Sequence, residues 1–196
     1  MTSLDELERR KQLESSRAHC AIAEGLGAPY LRVFGGPIPE QHDREATVAA
    51  IVEGLSQIAD ETRARGVTSL LETHDAFSTS ESILDLFARG ASGNLGILWD
   101  TLHTYRHGES GASTWARLGQ RIQLVPLKDS AKASAKGFDL VLTGEGTVPI
   151  PSFLQVLKTA NYDGYVHFEW EKAWHPEIEE PEVAIPHFAR YMLARM

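Results

Sequence analysis

Only one cysteine, Cys20, occurs in the 196 residues, so no internal disulfide exists and nothing marks an oxidised secreted scaffold. No window approaches the ~18 consecutive apolar residues of a membrane-spanning helix. The opening residues, Met1-Thr-Ser-Leu-Asp-Glu-Leu-Glu-Arg-Arg-Lys, are charged where a signal peptide needs an apolar stretch. Cationic excess is missing as well: 19 Lys plus Arg face 27 Asp plus Glu, a formal charge of −8, which argues against a nucleic-acid-binding surface. What remains is a chain 42% hydrophobic and 23% charged, enough to pack one core and too short for two full domains. The expectation is a single domain over residues 1–196, acidic and soluble, in a reducing cytoplasm.

Two kinds of segment alternate. Short apolar runs close in polar residues: Tyr30-Leu-Arg-Val-Phe34, Ser69 to His74, Leu95 to Asp100, Ile122 to Asp129 and Gly164 to Trp170. Their length and branched content predict buried parallel strands. Between them lie stretches of helical spacing. Leu4 to Leu26 carries Leu7, Leu13, Ala18, Ala21 and Ile22 on one stripe, and Glu45 to Arg65 carries Val48, Ile51, Val52, Leu55, Ile58 and Ala59. Further helices are expected over Ser80 to Ala88, Ser113 to Leu118, Ile150 to Thr159 and Glu182 to Ala194. The order, a helix and then strand and helix five times over, implies an α/β fold with a parallel sheet. Gly35-Gly36 runs into Pro37, and no strand opens into a glycine-rich nucleotide loop.

Charged residues gather near the C-terminal ends of these strands: Arg32, Glu72 with His74, Asp100, Lys128 with Asp129, and Glu169 with Glu171. In parallel α/β folds that edge is where sites assemble. Carboxylates from several strands converging there repel and raise one another's pKa unless a cation intervenes. Glu72, Asp100 and Glu169, each closing its own strand, form the expected ligand set of a divalent metal. Oxygen donors favour Mn²⁺ or Mg²⁺, with Co²⁺ and Zn²⁺ left open. The other reading is plainer: these acids cap neighbouring helices or pair with Lys128 and Arg32.

The motifs Leu70-Leu-Glu-Thr-His-Asp75, Trp99-Asp-Thr-Leu-His103, Leu127-Lys-Asp129, Thr143-Gly-Glu-Gly-Thr-Val-Pro149 and Gly164-Tyr-Val-His-Phe-Glu-Trp-Glu171 resemble, in this order, the sugar phosphate isomerase/epimerase family, the xylose isomerase-like TIM barrels. The resemblance runs over nearly the whole chain. It implies a metal-dependent isomerase or epimerase of a sugar or sugar phosphate, with Glu72 and Glu169 both holding metal and moving the substrate proton through an enediolate. It further implies that His103 contacts substrate; beside it, His74 is expected to donate hydrogen bonds to substrate oxygens and Lys128 or Arg32 to bind a carboxylate or phosphate. Two departures accompany it. Where the family has a histidine ligand two residues before the Lys-Asp pair, this chain has Pro126, expected at a strand end or bulge. The first strands of the barrel are absent, so the expected fold is an incomplete barrel of about five strands. Its open edges call for a cover, with a homodimer expected and a truncated reading frame as the other explanation. A relic that binds a ligand or partner without turnover is the alternative.

Other marks are assigned to packing. Trp99 and Trp170 have opposite parity to their neighbouring acids and are expected in the core. Cys20 is read as a small buried side chain. His19, His42 and His187 are expected on the surface, and His175 near the pocket. Residues 129–149, small and polar, are expected to form a mobile loop, a lid or plain disorder.

Overall fold

The computed structural model describes residues 5–195. Five parallel strands with helices around them make an α/β fold of the TIM-barrel kind, an incomplete barrel as the sequence predicts. The chain divides into two compact units, one holding the residues up to Leu98 with Arg117–Gln123, the other Trp99–Ala116 and the residues from Leu124 onward. Among the described residues no helix is long and apolar enough to cross a membrane.

The first unit is built from α1 (Glu6–Leu26), β1 (Tyr30–Val33), α2 (Arg44–Arg63), β2 (Thr68–Glu72), α3 (Ser80–Ala88) and β3 (Gly96–Leu98). Asp43 starts α2 by accepting the Ala46 amide. The predicted stripe is the buried face: Val48, Ile51, Val52, Leu55, Ile58 and Ala59 all lie in the core, each worth roughly 1.5–3 kcal/mol when a large aliphatic is removed from water. β1 pairs with β2 in parallel, Tyr30 opposite Thr68, and β2 with β3, Leu70 opposite Gly96. A Cβ at position 96 would stand 2.6 Å from Leu70 Cδ2, so a larger residue there would have to displace that buried side chain.

Helix α1 differs from expectation in its rotation. Its buried line passes through Cys20 and Ala23, while Leu7 and Ile22 face solvent. Arg17 with Glu61 and Arg65 with Glu24 form ion pairs that tie α1 to α2 and the turn after it. Periodicity within one helix cannot see which stripe its neighbour accepts.

The second unit contains α4 (Thr101–Arg106), most of α5 (Gly111–Leu118), the later part of β4 (Ile122–Leu127), β5 (Asp129–Ser134), β6 (Gly137–Val141), α6 (Ile150–Thr159), β7 (Tyr165–Phe168) and α7 (Pro181–Leu193). β4 and β7 run parallel, Val125 opposite Val166 and Pro126 opposite His167. Pro126 therefore sits one residue before the end of β4. Trp99 is fully buried, edge-on to Phe153, with its Nε1 donating to Thr104 Oγ1 at 2.9 Å.

Residues 129–149 are not a mobile loop. β5 and β6 form an antiparallel hairpin with an irregularity between Ser130 and Lys132. The turn after it is pinned by one buried side chain: Asp129 accepts from the amides of Ser130, Gly144, Gly146 and Val148 at 2.8–3.2 Å. A Cβ at Gly146 would fall 2.2 Å from Asp129 Oδ1, which explains the glycine of that motif. Composition alone misleads here, because a polar run held by one carboxylate looks like a disordered one. Asp129→Ala leaves four amides to find other partners. It should lower unfolding stability by about 3 kcal/mol, measured by urea denaturation, and should raise amide exchange across 129–148.

Candidate active site

In the second unit, four expected residues meet. Asp100 follows β3 and caps α4, accepting from the amides of Leu102 and His103, a residue type favoured at that position. One turn on, His103 brings Nε2 to 3.5 Å from Asp100 Oδ2. Lys128, at the junction of β4 and β5, places Nζ 2.8 Å from Asp100 Oδ2, 3.1 Å from Glu169 Oε1 and 2.6 Å from Glu171 Oε1. Asp100 and Lys128 are almost completely buried, at 0% and 1% exposed. Both of the roles foreseen for the acids in the plainer reading, capping and pairing, are thus present at Asp100.

Electrostatics follow from that geometry. Burial works to raise the Asp100 pKa, yet the Lys128 ammonium and His103 outweigh it and hold the carboxyl below its ordinary value. Burial, and then the neighbouring Asp100 charge, push Glu169 the other way, and Lys128 only partly offsets them. For Lys128, burial opposes the charge, but Asp100, Glu169 and Glu171 more than compensate, so its pKa is raised. Two carboxyls sharing one ammonium are driven apart: one stays an anion and the other binds a proton readily.

Three further side chains shape this site. Phe138 on the hairpin lies 5.7 Å from Lys128 Nζ, edge-on to His103 and tilted to His175. His175 reaches Glu171 Oε2 at 3.6 Å. Sequence reasoning missed Phe138; the signal was a lone aromatic within a run of small polar residues. Trp170 stacks on Phe168 and donates to the Glu179 carbonyl, half-buried rather than in the deep core.

In the first unit, Arg32, Glu72 and His74 gather at the ends of β1 and β2. Arg32 Nη1 lies 3.3 Å from Glu72 Oε2, and its guanidinium covers Phe34. His74 meets Phe34 edge-on and has Nδ1 3.1 Å from Asp75 Oδ1. Glu72 is 1% exposed and Arg32 about half exposed, so Arg32 supplies both a counter-charge and a surface-facing cation. His19 is exposed, whereas His42 and His187 are half-buried and His187 Nε2 is 2.8 Å from the Thr143 carbonyl.

A family model described as xylose isomerase-like TIM barrel matches residues 1–192. No curated protein matches the chain. Among solved structures it resembles the IolI protein crystallised with a zinc atom, at a TM-score of 0.82 and 17% identity over 99% of this chain and 72% of that one. It also resembles D-allulose 3-epimerase from Methylomonas sp., at 0.80 and 21% over 100% and 73%, and the probable 3-DHS dehydratase AsbF from Bacillus anthracis, at 0.74 and 22% over 87% and 66%. The chain spans about two thirds of the length of the solved proteins it resembles. At these identities the likeness shows the fold.

Lys128→Met removes one partner of a buried cluster and leaves the Asp100 charge uncompensated. Unfolding stability at pH 7 should fall by about 3 kcal/mol, as read by chemical denaturation.

Proposed function

This chain is a member of the xylose isomerase-like TIM-barrel family, and on that premise we propose a metal-dependent isomerase or epimerase of a small sugar or sugar phosphate. The observation that carries the reading is the meeting of Asp100, His103 and Glu169 from separate segments around one centre; the opposite directions of the two carboxyls' proton affinities accord with acid–base roles. The donor set suits the implied metal. Carboxylate oxygens of Asp100 and Glu169 with the His103 imidazole beside them are hard-to-borderline donors, matched to Mn²⁺ or Mg²⁺ and tolerant of Co²⁺ or Zn²⁺. Glu72, which closes β2 by motif and by position, is the third proposed ligand.

When bound, a divalent cation supplies Lewis-acid polarisation of the substrate carbonyl and acidifies the neighbouring C–H. The chain's own residues carry out the rest. Glu169, whose Oε1 accepts from Lys128, takes the carbon-bound proton at its other oxygen and returns it to the adjacent carbon or the opposite face. Glu72 is the second base of the pair. Asp100, held below its ordinary proton affinity by Lys128 and His103, is the fixed anion beside Glu169. His103, His74 and Arg32 donate to substrate oxygens, Lys128 is held by the carboxylates instead, and Phe138 offers an apolar face to sugar C–H groups. Dehydration at a carbon next to a carbonyl would begin with the same proton abstraction.

A relic without turnover is the second reading, and Pro126 favours it, since proline brings no ligand atom to β4. Proton exchange separates the two. With Mn²⁺ present, the unaltered chain should wash deuterium from D₂O into the reactive C–H of at least one ketose in a panel, and Glu169→Gln should reduce that rate by 10³-fold or more, typical of losing a general base. Silence across the panel supports the relic. Calorimetry with Mn²⁺ on the unaltered chain, Glu72→Gln and Glu169→Gln should show tenfold or greater loss of affinity in each variant; equal affinity in all three removes the metal centre.

β1 pairs with β2 alone among the described residues, so one face of its backbone ladder is open and a second copy is the proposed cover. Sedimentation should then give a dimer mass, and a monomer at micromolar concentration would exclude that cover.

A further inference from the structure

We propose that Lys128 is a tethered cation that holds the place of a divalent ion among these carboxylates, so that ammonium and metal exclude one another. This rests on the reading that Asp100 and Glu169 are metal ligands, and it adds what decides whether an ion can reach them.

An ammonium has three donors and no acceptor. Here it lies in ion-pair contact with Asp100, Glu169 and Glu171 at 2.8, 3.1 and 2.6 Å, donating hydrogen bonds to the two glutamates. Lys128 itself is 1% exposed, while Glu169 and Glu171 keep about a fifth of their side-chain surface open, at 19% and 20%. A lysine that buried remains only because its charge is fully satisfied. Two of the three acceptors are the oxygens a divalent ion would need. An ion bound to Asp100 Oδ2 and Glu169 Oε1 at the ~2.0–2.6 Å usual for such metals would stand against the ammonium already within 3.1 Å of both. Two cations at that spacing repel strongly where solvent is excluded. No neighbouring donor compensates on β4, since Pro126 carries none.

The arrangement therefore predicts weak metal binding for a stated reason. The ion must first displace a lysine whose stem is packed and whose head is held three times. Glu171, the shortest of the contacts, gives the displaced ammonium a place to remain, since it lies outside the proposed ligand set. The same lysine keeps the carboxylates together when no ion is bound, so the fold does not depend on metal supply.

The test is Mn²⁺ titration by calorimetry on the unaltered chain, Lys128→Met and Lys128→Gln, with thermal unfolding of each recorded with and without Mn²⁺. Gln fills the space and donates hydrogen bonds, which protects the measurement should the Met variant fold poorly. The expected result is Mn²⁺ affinity at least tenfold tighter in the Lys128 variants than in the unaltered chain, with a larger Mn²⁺-induced rise in Tm. Equal or weaker affinity in a folded variant that still binds Mn²⁺ overturns the proposal and leaves the metal centre standing. No Mn²⁺ binding by a folded variant overturns both, because removing the competitor has then revealed no ligand set.

Discussion

A single buried ammonium organises the second unit. Lys128 leaves the end of β4 and is itself almost wholly buried, where an unpaired charge would cost several kcal/mol. Its three oxygens come from the start of α4 and the residues following β7. Each of these segments is thereby fixed to the strand that carries the lysine. Removing the ammonium leaves carboxylates repelling at close range, and removing a carboxylate leaves a lysine without a partner. The cluster is mutually dependent, which is the condition under which buried charge specifies one arrangement.

That same dependence produces the chemistry. Asp100 and Glu169 differ in environment only by degree, yet the ammonium's nearer approach to Asp100, together with the amides of Leu102 and His103 and the imidazole of His103, secures the anion there. Glu169 receives less help and is pushed toward its protonated form. One set of contacts thus both holds the salt bridge and separates the proton affinities of the two carboxyls.

Much of this was legible in the sequence, and the parts that were not share a cause. The periodic face of α2 and the ends of α3 and α6 follow from local patterns, and these elements appear over the expected residues. Asp100, Lys128 and Glu169 were visible as charged residues closing apolar strands. Periodicity could not report the rotation of α1, because Cys20 and Ala23 are chosen by the surface of α2. α4, six residues long, is too short for a repeat to register, although an aspartate just after a strand is a cap signal. The hairpin was hidden because its order comes from Asp129, whose partners lie up to 19 residues away. Whether an acid caps, pairs or binds metal was likewise undecidable from spacing, since Asp100 does the first two at once.

Helix α4 has one further property. Its first turn hangs from Asp100, and at its far end Arg106 grips the Ser134 and Ala135 carbonyls at the hairpin tip, each at 2.9 Å. The helix is thus a short strut joined at one end to the innermost charge and at the other to the rim. The hairpin that carries Phe138 is thereby tied through six residues of helix to the same carboxylate that meets Lys128.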